Sequence, residues 1–305
     1  MFTTLLAVVV ALVLGHLVPP LAVAVRQYGW FGQWMRWLDG RFPGDGFWRG
    51  PFGVALALVP PLLVVVLFQL ALRDSVYGLP ALVFGIAALF YAWGPRDLDV
   101  DVDAIAAATD PVERHDAAAR LWPPGEPVSL GGGALVGAVF RNARRRWFGV
   151  LFWFLLLGPV GALLYRLAAL AAEGRDTHLL PAGTVAGART LLAVLDWPVA
   201  QLMTLAMALV GNFDAVFGAW RENGGASFVL DAGFLDAAAR ACVRSELAAE
   251  VDDETESGVA MATGGALAPS APELPELRDA MSLAWRILLV WMAVLALFVV
   301  AGWVS

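Results

Sequence analysis

Four arginines within six residues, Arg141, Arg144, Arg145 and Arg146, lead directly into an apolar stretch long enough to cross a membrane. The stretch from 141 to 167, RNARRRWFGVLFWFLLLGPVGALLYRL, closes on Tyr165 and Arg166. Crossing a hydrocarbon core takes roughly 20 apolar residues, and arginines at the entrance of such a segment hold it on the cytoplasmic side. A chain built around this feature folds in lipid. Composition agrees, with 60% hydrophobic and 15% charged residues, against roughly 25% charged in a soluble domain.

Several chemistries are excluded at once. All 20 basic residues are arginine, which removes any Schiff-base lysine or P-loop lysine. Cys242 is the only cysteine, so neither an internal disulfide nor a multi-cysteine zinc site can form. A net charge of −7 does not suit a nucleic-acid partner.

The pattern predicts an all-α polytopic membrane protein with about six transmembrane helices, at 2–24, 52–72, 77–93, 147–171, 190–211 and 283–304. The bilayer is its first partner. Two helical loops, 94–146 and 212–282, are expected in the cytoplasm, with a disordered linker at 252–275 that is acidic and rich in Gly, Ala and Pro. With the N-terminus outside, the segments 25–51, 94–146 and 212–282 hold 15 arginines against three (Arg73, Arg175, Arg189) outside, the bias expected of cytoplasmic loops. If 190–211 is instead re-entrant or interfacial, five spans remain.

The first 25 residues carry no charge and Arg26 follows them, so the segment reads as an uncleaved anchor rather than a signal peptide. Pro19-Pro20 predicts a kink, with His16 turned toward the bundle. Trp30, Trp34 and Trp37 fall on one helical face among arginines, as in an interfacial helix. The turn Arg73–Val76 is short enough to force an antiparallel hairpin. Pro60-Pro61 inside the second span frees backbone carbonyls that a neighbour must satisfy.

Within the first loop, Asp110-Pro111-Val112-Glu113 predicts a capped helix from Pro111 to about Leu121. Asp97, Asp99, Asp101 and Asp103 alternate and read as a solvated acidic face, since no EF-hand pattern follows. The run Ser129–Gly133 lacks the lysine and hydroxyl of a P-loop and reads as a flexible joint. In the second loop, Phe228, Leu235, Ala239 and Cys242 share a helical stripe, which makes Cys242 a buried, inert thiol.

An acid within a span is a functional candidate by default. Asp196, beside Pro198, is such an acid; it is placed roughly 10 Å from the Arg189 end, where it is either functional or paired. Arg166 either snorkels to the interface or turns toward Asp196. Arg144 to Arg146 either lock the topology or bind a phosphorylated substrate.

Asn142 ahead of Gly149–Trp153, the segment Gly161–Leu167 with Tyr165-Arg166, and Val194-Leu195-Asp196-Trp197 leading to an alanine-rich span and Trp220 together resemble the AmpE family of bacterial inner-membrane proteins. That family is related to the CobD/CbiB cobinamide-phosphate synthases, and the likeness covers nearly the whole chain. It implies a multi-pass protein of the cytoplasmic membrane that takes part in regulating β-lactamase induction, a process tied to cell-wall recycling. It also implies a small-molecule or cell-wall-derived ligand, with no cofactor. Ligand-binding candidates are Asn142, Arg145, Tyr165, Arg166 and Asp196.

The synthases are similar but carry features this chain lacks. Their asparagine lies between an acid and a threonine, whereas Asn142 lies between Arg141 and Ala143. Trp197 stands where they have a second acid, Gln201-Leu202 lacks their arginine, and their Gly-Asp-Pro…His-Pro element has no counterpart. Losing two acids removes expected magnesium ligands. A regulatory, non-ligase descendant is therefore expected; the alternative is a nucleotide- and magnesium-dependent membrane ligase or transferase.

Overall fold

The computed structural model describes residues 2–17, 24–42, 46–72, 78–94, 97–174, 177–227, 229–256 and 274–301. Pro19-Pro20, the turn Arg73–Val76, Phe228 and most of the expected linker, 257–273, lie outside the described residues, as does the side chain of His16. Among the described residues the structure is helical and contains no strand.

In chain order the helices are α1 (Phe2–Leu17), α2 (Gly29–Arg41), α3 (Gly53–Ala71), α4 (Leu79–Ala92), α5 (Leu98–Ala107), α6 (Pro111–Ala118) and α7 (Gly132–Ala143), followed by α8 (Gly149–Leu157), α9 (Pro159–Glu173), α10 (Ala182–Val210), α11 (Phe213–Glu222), α12 (Gly233–Glu256) and α13 (Pro275–Val300). Three of them, α3, α10 and α13, are long and apolar enough to cross a membrane. The chain divides into two compact units: residues 1–97, 144–199 and 293–305, and residues 98–143 and 200–292.

In the first unit α1 packs on α4, and α9 packs on α3, α4 and α8. The stretch expected as one span over 147–171 is two helices. Gly158 takes φ 68° and ψ −150°, a region open essentially to glycine alone, and Pro159 then opens α9. The chain folds back on itself there. A Cβ on Gly149 would meet the Tyr165 ring and one on Gly161 would meet the Trp153 carbonyl, so 149 pairs with 165 and 153 with 161, the register of an antiparallel hairpin. At 1.5 Å per residue, the 9 residues of α8 and the 15 of α9 span about 13 and 22 Å, and neither alone crosses a core of about 30 Å. Gln69 of α3 holds the tip, its Nε2 donating to the Leu157 carbonyl at 3.4 Å.

One of the two carbonyls freed by the prolines of α3 is compensated as expected. Pro61 cannot bond the Ala57 carbonyl, and the Trp34 indole of α2 donates to it at 3.1 Å. Trp34 also stacks on Trp37 with centroids 5.1 Å apart, while Phe31, Met35 and Leu38 form the buried face of α2.

The second unit packs α7 on α12, α11 on α12, and α5 on both α6 and α7. Asp110 caps α6 by accepting from the Val112 and Glu113 amides at 3.2 Å, and a 3₁₀ turn extends the segment to Leu121. The acidic face of α5 differs from expectation, because a 3.6-residue period turns Asp101 inward beside Leu98, Val102 and Ile105. The glycine run is a packing surface: a Cβ on Gly132 would fall 2.6 Å from the Glu276 carboxylate, and Gly133 and Gly137 face Arg240. A carboxylate at that position argues against a phosphate cradle. Cys242 is buried, and burial pushes its thiol pKa up. Helix α12 continues to Glu256 and α13 begins at Pro275, so both edges of the expected linker are helical.

Candidate functional site

Helix α10 begins before Arg189, so Asp196 lies deeper than the roughly 10 Å expected from that end. Running from Ala182 to Val210, it places Asp196 at its midpoint, about 21 Å from either end. An acid this far from both ends of an apolar helix needs partners. Asp196 has three, all in the first unit. Tyr165 donates its phenol hydrogen to Oδ1 at 2.6 Å. Arg145 Nη2 and Arg144 Nη2 approach Oδ2 at 3.2 and 3.6 Å.

Local geometry explains how two consecutive arginines reach one carboxylate. Residues 144–148 form a π-helical turn, and such widened turns recur at functional sites. Gly149 follows and leaves the room that the Tyr165 ring occupies. Glu173, at the end of α9, completes the set by accepting from Arg145 Nη2 at 2.7 Å. This last bond joins the two ends of the α8–α9 hairpin. Trp153 of α8 donates to the Leu195 carbonyl at 3.1 Å, fixing α10 beside the hairpin.

The network is dry at its centre and open at one edge. Side-chain exposure is 4% for Asp196 and 7% for Arg144, rising to 16% for Arg145 and 37% for Glu173. Burial works to lower the Arg145 pKa, but Asp196, then Tyr165 and Glu173, outweigh it and hold the guanidinium above its ordinary value. The carboxylate is thus fully engaged by cations and a phenol. Nε and Nη1 of both Arg144 and Arg145 are buried without a hydrogen-bond partner among the described residues.

Arg166 neither snorkels nor turns to Asp196. Its Nε donates to the Ala92 carbonyl at 2.6 Å, while Arg26 donates to the Phe90 and Gly94 carbonyls, both at 2.9 Å, and Tyr28 to the Tyr91 carbonyl. These groups close the C-terminal end of α4, where carbonyls lack helical partners and cations are favoured. Burial pushes the Tyr28 phenol up to about 12. Asn142, in the second unit, donates from Nδ2 to the Leu121 and Ala138 carbonyls, both at 2.8 Å; its amide ties the end of α7 to the turn after α6.

Of the five candidates, the structure therefore brings together Arg145, Tyr165 and Asp196, and it gives Arg166 and Asn142 separate structural bonds. Sequence reasoning missed Glu173 and left Arg144 undistinguished within its cluster. The signal was the Gly158-Pro159 pair, a turn dipeptide in mid-span. Among the described residues no group of three or more His, Cys, Asp or Glu is placed to hold a metal ion. Compared with known proteins, the chain matches no protein-family profile, no curated protein and no solved structure.

Proposed function

We propose that this chain is a multi-pass protein of the cytoplasmic membrane with a regulatory role of the AmpE type, linked to β-lactamase induction and cell-wall recycling. In this reading the Arg144–Arg145–Tyr165–Asp196 network is the part that responds to a small ligand. One observation carries it: a carboxylate at the midpoint of the longest helix is held by three side chains from one helical hairpin. Such a buried ionic knot is costly to assemble, and a ligand that competes for either arginine would shift α10 against the hairpin.

Parity supports the topology in this reading. Arg141 of α7 faces Asp236 of α12 at 3.8 Å, so the chain between those helices crosses the bilayer an even number of times. The hairpin contributes no net crossing, because Arg145 and Glu173 meet at its base. Helix α10 then lies embedded without a net crossing, and α1, α3, α4 and α13 cross. Both polar loops stay cytoplasmic in this scheme, as the arginine bias requires.

A nucleotide-dependent ligase is the less favoured reading. Magnesium prefers carboxylates free to take it in octahedral geometry, and Asp196 is already committed to two guanidiniums and a phenol. The test is complementation of a deletion strain carrying an inducible β-lactamase. Wild type should restore induction, and Asp196→Asn, expressed and inserted, should not. Normal induction in the deletion strain would remove the assignment.

A further inference from the structure

The regulatory reading leaves open what chemistry would engage the buried arginines. Arg144 is more than nine-tenths buried, yet its Nε and Nη1 have no partner, and the same two nitrogens of Arg145 are also unpartnered. A buried guanidinium donor without an acceptor is costly, and here four such nitrogens lie on neighbouring residues. Buried Arg166 lies close enough to Arg146 and Arg145 for their charges to interact. Arg144 and Arg145 share the two carboxylates of the network, and one of these, Glu173, reaches solvent.

We infer that Arg144 and Arg145 form a binding site for a phosphate-type oxyanion, with Glu173 as the resident carboxylate that the oxyanion displaces. Asp196 keeps the Nη2 edge of both arginines. The planar carboxylate of Glu173 reaches only Arg145 Nη2, whereas a tetrahedral oxyanion offers several acceptors to two guanidiniums at once. Glu173 is the most exposed member of the network, and when it swings outward it frees Arg145 Nη2 at the open edge. The inference rests on the network being a ligand site; if the network only holds the fold together, no oxyanion binds.

The experiment uses the full chain in nanodiscs of phosphatidylcholine alone or with added phosphatidylglycerol, titrated with inorganic phosphate and pyrophosphate at constant ionic strength. Binding is followed by calorimetry. Saturable binding of phosphate or pyrophosphate in phosphatidylcholine discs identifies a soluble ligand. Tm raised by phosphatidylglycerol, and raised further in Glu173→Gln, identifies a headgroup. For the soluble case, Glu173→Gln should tighten the dissociation constant about tenfold and Arg144→Gln should abolish binding. Since Arg144→Gln could unfold the protein, Glu173→Gln, at an exposed position, carries the decision. A non-saturable response equal in wild type and Glu173→Gln, with no lipid effect on Tm, overturns the oxyanion site. In that event, loss of induction in Asp196→Asn would leave the regulatory role standing by itself.

Discussion

Tyr165 of α9 lies so close to Gly149 of α8 that a Cβ added at 149 would fall 2.0 Å from the ring Cζ. The same ring's hydroxyl is bonded to Asp196, so it cannot simply swing away. One glycine thereby sets how closely the hairpin closes and where the phenol points. Gly149→Ala should destabilise the protein by about 1–3 kcal/mol through overpacking, read as a lower Tm in nanodiscs. Tyr165→Leu in the same chain should recover part of that loss; no recovery would mean that the two residues do not share this contact.

Removing the carboxylate should be worse than removing the phenol. Asp196→Asn leaves two buried guanidiniums without their anion and should cost about 3–5 kcal/mol. Tyr165→Phe loses one hydrogen bond to a charged acceptor, about 1.5–3 kcal/mol. Because both act on one network, the double variant should fall short of the sum by about 0.5–3 kcal/mol. Additive losses in equilibrium unfolding would contradict the bond between them.

Alkaline titration probes the α4 end. The folded Tyr28 phenol titrates near 12 and the unfolded one near 10, so between those values the folded chain keeps a proton that the unfolded chain has lost. The stability contributed by Tyr28 is complete below pH 10 and disappears as pH rises to 12. Tyr28→Phe should flatten that part of the stability profile. An unchanged slope between pH 10 and 12 would show that Tyr28 is not the group responsible.

Much of this was legible from residue types, because lipid makes strict demands. The helical fold, the Asp110 cap and the need to satisfy Ala57 behind Pro61 follow from backbone bonds that must be met locally or by a near neighbour. Asp196 could be named because an acid within a span is costly; Tyr165 came only with a family resemblance. What could not be read was which distant residues meet. Arg145 and Glu173 are 28 positions apart, and they become neighbours only if the chain reverses at Gly158. A hydropathy window averages across such a break, since leucines flank it on both sides. Arg166 misled for a similar reason: its partner is a backbone carbonyl at the end of α4, and no side-chain pattern announces that.

The reversal at Gly158 and the placement of α10 are both tested by one labelling experiment. Gln27 and Glu173 are both exposed or partly so in the first unit, and Glu126 and Asp214 are exposed in the second. Each is replaced singly by cysteine, in a chain whose own Cys242 is buried and changed to serine. A membrane-impermeant maleimide is then applied to vesicles of known orientation. Gln27→Cys and Glu173→Cys should react from the same side, because Arg26 bonds Gly94, whose amide donates to the Arg146 carbonyl, one residue from the Arg145–Glu173 pair. A continuous span over 147–171 demands the opposite result. Glu126→Cys and Asp214→Cys should likewise share a side, since Arg141 pairs with both Glu126 and Asp236, and Asp236 lies on α12, against which α11 and its Asp214 pack. If the first pair shares a side and the second does not, the hairpin stands and α10 crosses the bilayer after all.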